Sequence, residues 1–202
     1  MMKKIFVLMT ALSMIFAGYS QTAEKYLAEG NAKYAILDFK GAIADYTKAI
    51  EISPRVTEAF YNRGLAKYNL RDNNGAIADY TTAIEINPKN ADAFYNRALV
   101  KGILLDFDGS VADYSKVIDI NPENADAYNN RGITKSNLKD YAGAIEDYSK
   151  AIVINPAYAL AYINRGDAKI ALGQKVSGCS DFKKAKELGA LNMDDMIKKY
   201  CK

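Results

Sequence analysis

The chain has 202 residues, half of them apolar, with 15 Tyr, no His and a formal net charge of +3. That apolar content is enough for a packed core and excludes a disordered chain; 27 basic against 24 acidic residues, with no basic stripe, gives no footing for nucleic acid. With no His, no paired carboxylates outside a repeating pattern, no glycine-rich phosphate loop and no Cys at metal-ligand spacing, catalysis has no candidate residues. The expectation is a protein that is not an enzyme and takes no cofactor or metal.

The N-terminus opens on MMKK, a short basic start, followed by IFVLMTALSMIFAG, an apolar run of 14 residues, with the small residues Gly18 and Ser20 ahead of Gln21. A spanning helix needs about 20 apolar residues, so residues 1–20 read as a removable secretory signal, with an uncleaved anchor as the alternative that N-terminal sequencing would decide. No Cys follows the run, so no lipid attachment is indicated. The expected product is exported, to the periplasm or beyond the cell, begins near Gln21 and keeps no membrane span. Without Lys3 and Lys4 its balance is 25 basic to 24 acidic residues.

From there the chain repeats itself. GAIADYTKAIEISP begins at Gly41, GAIADYTTAIEINP at Gly75, GSVADYSKVIDINP at Gly109 and GAIEDYSKAIVINP at Gly143, each 34 residues after the last. Between them lie TEAFYNRGLAKYNL from Thr57, ADAFYNRALVKGIL from Ala91, ADAYNNRGITKSNL from Ala125 and LAYINRGDAKIAL from Leu160. In both kinds of segment apolar residues and Ala recur at three and four spacing, and Pro54, Pro88, Pro122 and Pro156 stop the second kind. One unit is therefore helix, short turn, helix. A lone pair cannot bury both faces, whereas stacked pairs share a continuous core.

These residues resemble the tetratricopeptide repeat. Gly30, Gly64, Gly132 and Gly166 match the family's small residue in the first helix, and Ala42, Ala76 and Ala144 the small residue in the second. Tyr46, Tyr80, Tyr114, Tyr148 and Phe182 match its aromatic position, and the closing Pro matches as well; the third unit carries Ala98 and Ser110 at the small pair. The resemblance covers nearly all of 23–190 in five units, about 23–56, 57–90, 91–124, 125–158 and 159–190, with 191–202 left for a capping helix. It implies an all-α fold, an α-solenoid of helix-turn-helix repeats wound into a right-handed superhelix.

Where the family usually has Leu before the small residue, this chain has Arg63, Arg97, Arg131 and Arg165, with Lys67, Lys101, Lys135 and Lys169 four residues on. Like charges at that spacing repel. Each second helix supplies an acid in one column, Asp45, Asp79, Asp113, Asp147 and Asp181, while Glu29 replaces Arg in the first unit. Four Arg against five Asp predicts a partly buried ladder, each Arg between the Asp of its own unit and that of the unit before. A solvated charge face of little energetic value is the competing reading.

The resemblance further implies that the first helices line a concave groove holding an extended segment of another protein. Its column is Asn62, Asn96, Asn130 and Asn164, with Tyr61, Tyr95, Asn129 and Ile163 beside it and Leu65, Leu99, Ile133, Tyr34 and Tyr68 further along. A carboxamide both donates and accepts, which suits a peptide backbone; each Asn satisfying a neighbouring loop is the competing reading. The family's clamp for a chaperone's C-terminal carboxylate is incomplete, because Asn31 and Asn62 match but Leu27, Asp92 and Asn96 stand at its cationic places. Glu58, Asp92 and Asp126 either line an acidic rim or serve the helix N-termini they occupy.

At the C-terminus, Ser177 is expected to cap a helix running to about Leu188, Gly189 to turn the chain and Asn192 to start a last helix. A hairpin turning near 189–190 sets Cys179 opposite Cys201, and export favours a disulfide over two inert thiols. Together these features predict a scaffold in the bacterial cell envelope that binds a partner segment in its groove. A structural subunit joined to a larger envelope or secretion assembly through its ends or convex face is the alternative.

Overall fold

Residues 22–201 are described by the structure, a computed structural model. The expected signal at 1–20 and the expected new N-terminus at Gln21 lie outside them. Among the described residues there is no strand, and no helix is long and apolar enough to cross a membrane. The helices alternate as first and second members of a pair: α1 (22–35) with α2 (Phe39–Ile52), α3 (Thr57–Asn69) with α4 (Asn73–Ile86), α5 (Ala91–Ile103) with α6 (Phe107–Ile120), α7 (Ala125–Asn137) with α8 (Tyr141–Ile154), and α9 (Ala159–Ala171) with α10 (Lys175–Glu187). Helix α11 (Met193–Tyr200) follows the last pair.

The second helices begin two residues ahead of the repeated Gly. Asp38, Asp72, Asp106 and Asp140 are their N-caps, each accepting a hydrogen bond from the amide of Gly41, Gly75, Gly109 or Gly143 at 2.9–3.0 Å. The glycine leaves room for the cap: a Cβ on Gly75 would stand 2.1 Å from the Asp72 carboxylate, which would have to shift. In the fifth pair the same place belongs to Gln174, which is the N-cap of α10, so Ser177 lies within the first turn and does not cap the helix. The 34-residue spacing, not the local preference of Ser, sets where α10 starts. At the other end, Ser53, Asn87, Asn121 and Asn155 leave helical geometry for extended backbone immediately before each Pro, whose ring disfavours helix in the residue ahead of it.

The chain divides into two compact units, one ending at Ala93 and one beginning at Phe94. In the first, α3 packs between α2 and α4, and Ala42, Tyr46 and Ala66 form a core closed by Leu27, Tyr34, Phe39 and Ile43. In the second, α6 to α10 pack each on the next, with cores around Ala144, Tyr148 and Ala168 and around Ala151, Ile152 and Ala161. The small residue of each first helix is explained by the ring lying on it: a Cβ on Gly64 would meet Tyr80 at 2.6 Å, one on Gly132 would meet Tyr148 at 2.6 Å and one on Gly166 would meet Phe182 at 2.6 Å. Each such ring is almost fully buried, worth on the order of 2 kcal/mol.

Helix α11 closes the second unit by packing on α10. Its Met193 is buried, Tyr200 lies 6.2 Å from Phe182, and a disulfide joins Cys179 to Cys201, 22 residues apart.

Candidate functional site

Two arrangements recur at every unit: a charged cluster between the helices of each pair, and a row of carboxamides, Tyr and aliphatic side chains along the first helices.

In the charged cluster, Arg63 donates from Nε and Nη2 to both oxygens of Asp79, at 2.9 and 2.7 Å. Arg97 treats Asp113 in the same way, Arg131 Asp147, and Arg165 Asp181, each as a two-pronged pair at 2.7–2.9 Å. The partner in each case belongs to the same unit. The companion Lys joins the same carboxylate, Lys67 reaching Asp79 and Lys135 reaching Asp147 at 2.8 Å, so one acid offsets two cations that would otherwise repel. Each guanidinium also lies over a ring one turn back: Phe60, Phe94, Tyr128 or Tyr162, at 5.4–5.6 Å.

The reach to the preceding unit differs from the expected one. Arg63 Nη1 donates to the Thr47 hydroxyl at 3.0 Å, Arg131 to Ser115 at 2.9 Å and Arg165 to Ser149 at 3.0 Å, so the earlier helix contributes a hydroxyl and not its Asp. Each hydroxyl in turn donates to the carbonyl four residues back, at 2.7 Å for Thr47, Ser115 and Ser149. The two-pronged geometry is the reason: an Asp engaged edge-on by its own Arg and capped by Lys has no edge left for a second guanidinium. Asp45, which has no Arg in its unit, is instead approached by Lys33 and Lys48. The hydrogen bonds to Asp147 raise the pKa of Arg131.

Along the first helices, the Asn column bonds side chain to side chain between successive first helices and not to loops. Asn62 donates to Asn31 at 2.9 Å, and Asn31 also accepts from Tyr46 at 2.8 Å. Asn130 donates to the Tyr95 hydroxyl at 2.6 Å, and Asn164 to Asn129 at 2.9 Å. Each of these bonds uses one of an amide's two donors. Asn96 and Ile163 are half-buried in their places. Asn129 is only 1% exposed and donates to Asn130, so it braces the column from beneath and does not face outward. Tyr61 packs against Tyr80 at 6.0 Å and Tyr95 edge-on against Tyr114 at 5.4 Å, while Tyr34 packs on Phe39 and accepts from Asn69. Tyr68 is half-buried.

Cavities open at equivalent places between these side chains. In the first unit one of about 160 Å³ is lined by Asn31, Tyr34, Tyr46, Asn62 and Leu65. The second unit has one of about 260 Å³ bordered by Leu99, Asn130 and Ile133, and one of about 220 Å³ bordered by Ile133, Asn164 and Asp167. Gly102 and Asp167 escaped the sequence reading. Gly102 takes the column that holds Tyr34, Tyr68 and Ser136 elsewhere, and Asp167 the column of Leu65, Leu99 and Ile133; only alignment of the units by position reveals them. Among the described residues no group of three or more His, Cys, Asp or Glu could hold a metal.

The model of the tetratricopeptide repeat matches residues 125–158, and the TPR repeat model matches 30–70, 72–102 and 106–139. The chain belongs to the TPR family. None of the curated proteins matches it in sequence. Among solved structures this TPR chain is similar to the MamA protein, with 26% identity, a TM-score of 0.79 and coverage of 89% of this chain and 96% of that one. It also shares its fold with YrrB, described as a TPR protein with an unusual peptide-binding site, at 19% identity, a TM-score of 0.77 and coverage of 86% and 90%. The pilF protein of Pseudomonas aeruginosa has the same fold at 17% identity and a TM-score of 0.73, covering 87% of this chain and 80% of that one. The helix-turn-helix repeats thus match those of TPR solenoids, and the family supports a role in protein interaction.

Proposed function

We propose that the protein is an interaction scaffold that holds an extended segment of a partner protein along the first helices of its repeats, and that it acts in the bacterial cell envelope after export. The observation that carries the reading is the recurrence of a carboxamide beside an aliphatic residue and a cavity at equivalent places: Asn62 with Leu65, Asn130 with Leu99 and Ile133. An extended segment presents a carbonyl or amide every 3.3 Å or so and a side chain to the same face at every second residue. Amides that still carry a second donor can bond the former, and the cavities can take the latter. The described peptide-binding site of YrrB gives a precedent for this use of the fold. The N-terminal basic start and apolar run support export.

The test is a photo-crosslinking side chain placed at Ile133 on the first-helix face, or at Val153, 75% exposed on α8, in the intact source cell. Capture through Ile133, lost on adding Leu99→Arg, supports the groove. Capture through Val153 with none through Ile133 refutes it and favours a subunit joined through its second helices. Recovery of the full-length chain in the cytosol, with residues 1–20 intact, refutes export.

A further inference from the structure

The third and fourth repeats break the pattern of the chain at a few positions, and these fall around two adjoining cavities. At residue 98 an Ala replaces the Gly on which the Tyr rings of other repeats lie, and Tyr114 stands edge-on to Tyr95, at 79° between ring planes, where Tyr61 and Tyr80 are tilted by 45°. At residue 102 a Gly replaces a larger side chain, and a Cβ there would be only in ordinary contact with Ser110, at 3.5 Å. The space released is the cavity of about 260 Å³, walled by Leu99, Ile103, Phe107 and Ile133 with Ser110 and Thr134 at its floor. The floor hydroxyls are already engaged, Ser110 with Thr134 at 3.4 Å and Thr134 with the Asn130 carbonyl at 2.9 Å, so they ask nothing of an occupant. Ile103 remains 48% exposed.

The neighbouring cavity of about 220 Å³ shares Ile133 and Asn137 with the first and adds an acid to its lining, Asp167. Among the described residues no Lys or Arg lines either cavity, and Asp167 is the one acid that does. Among the described residues Asp167 makes no ion pair within 4 Å, and Lys199 on α11 acts on it only through its charge. The packing beneath raises its pKa from the usual carboxylate value, against the opposing pull of Lys199.

The geometry points to a partner segment with an apolar side chain followed or preceded, two residues away, by Lys or Arg: the apolar group fills the cavity walled by Leu99, Ile103, Phe107 and Ile133, and the cation pairs with Asp167. This rests on the groove reading above and adds the chemistry of the bound segment. Two residues is the interval because side chains of an extended chain return to one face at that step, and the two cavities lie side by side across Ile133. The aliphatic walls select an apolar group by desolvation, and an acid with no bound cation selects a basic one by charge.

The experiment selects a random heptapeptide library on the immobilised protein, with the Leu99→Arg, Ile133→Arg double variant as the blocked control. Enriched peptides are expected to pair an apolar residue with Lys or Arg at the second position away. Asp167→Lys is expected to keep the apolar preference and turn the basic preference acidic, while Asp167→Asn weakens a selected Lys peptide about tenfold, which is about 1.4 kcal/mol. Gly102→Leu, filling the larger cavity from within, is expected to erase the apolar preference alone. Enrichment without a basic preference, or a preference unmoved by both Asp167 variants, overturns this inference and leaves the groove standing. Equal recovery from the protein and the blocked control overturns both.

Discussion

Asp147→Asn is the substitution with the largest expected consequence per atom changed. Asp147 is 4% exposed at its side chain and takes two bonds from Arg131, at 2.9 and 2.7 Å, and one from Lys135 at 2.8 Å. An amide of the same shape removes the charge, leaving a guanidinium 18% exposed and an ammonium 20% exposed, four residues apart, without an anion. Breaking one side of a buried pair costs about 3–5 kcal/mol; the residual exposure of both cations favours the lower end, about 3 kcal/mol. For a chain of this size that lowers Tm by roughly 6–12 °C. Thermal and urea unfolding of Asp147→Asn, Arg131→Met and the double variant would measure it. The double variant is expected to recover part of the loss, with a coupling energy of about 2 kcal/mol, because no unpaired Arg remains. A Tm unchanged by Asp147→Asn, or additive single effects, would refute a structural ladder and leave a solvated charge face.

Three further outcomes follow from the same geometry. Tyr80 is fully buried and its hydroxyl has no hydrogen-bond partner among the described residues, so Tyr80→Phe is expected to be neutral or to stabilise by up to about 1 kcal/mol in urea unfolding, as Phe182 at the equivalent place suggests; a loss of 2 kcal/mol would refute this. Cys179→Ser is expected to cost about 3 kcal/mol by releasing a 22-residue loop, with amide exchange rising first in α11; unchanged protection there would show that α11 is held by packing alone. Burial raises the pKa of Tyr46 and Tyr148 to about 12 in the folded chain, above the ordinary value of 10. The unfolded chain therefore loses its phenolic protons first as pH rises, so stability is full below pH 10 and falls from pH 10 to 12. Tyrosinate absorbance tracking loss of helix would confirm it; titration of these rings near pH 10 in a folded chain would refute it.

Much of the architecture is readable from period alone, because a 34-residue repeat fixes the caps, the glycines under the rings and the Pro stops together. Ser177 misleads for the same reason: its local preference for a cap loses to the position that Gln174 inherits from Asp140. The Arg and Asp columns point to an ion pair, but the hydroxyls of Thr47, Ser115 and Ser149 carry no signal by themselves. A Thr or Ser in a helix reads as surface until its neighbour's guanidinium is in place. Along the first helices, sequence gives the column but not its depth: Asn129 and Asn130 are adjacent letters, yet one is buried and the other reaches Tyr95.

The hydroxyl link makes the repeats modular in a chemical sense. An inner copy carries its own Asp, Arg and Lys, and also the Thr or Ser that the next Arg will need, so a duplicated copy would arrive with both of its joints already complementary. The outermost positions withhold this. Glu29 occupies the place of the first Arg, and Lys183 stands exposed where the last hydroxyl belongs, in line with Ser149. A further repeat placed after α10 would offer its guanidinium to an ammonium, so this joint lacks the complementarity that the inner ones carry.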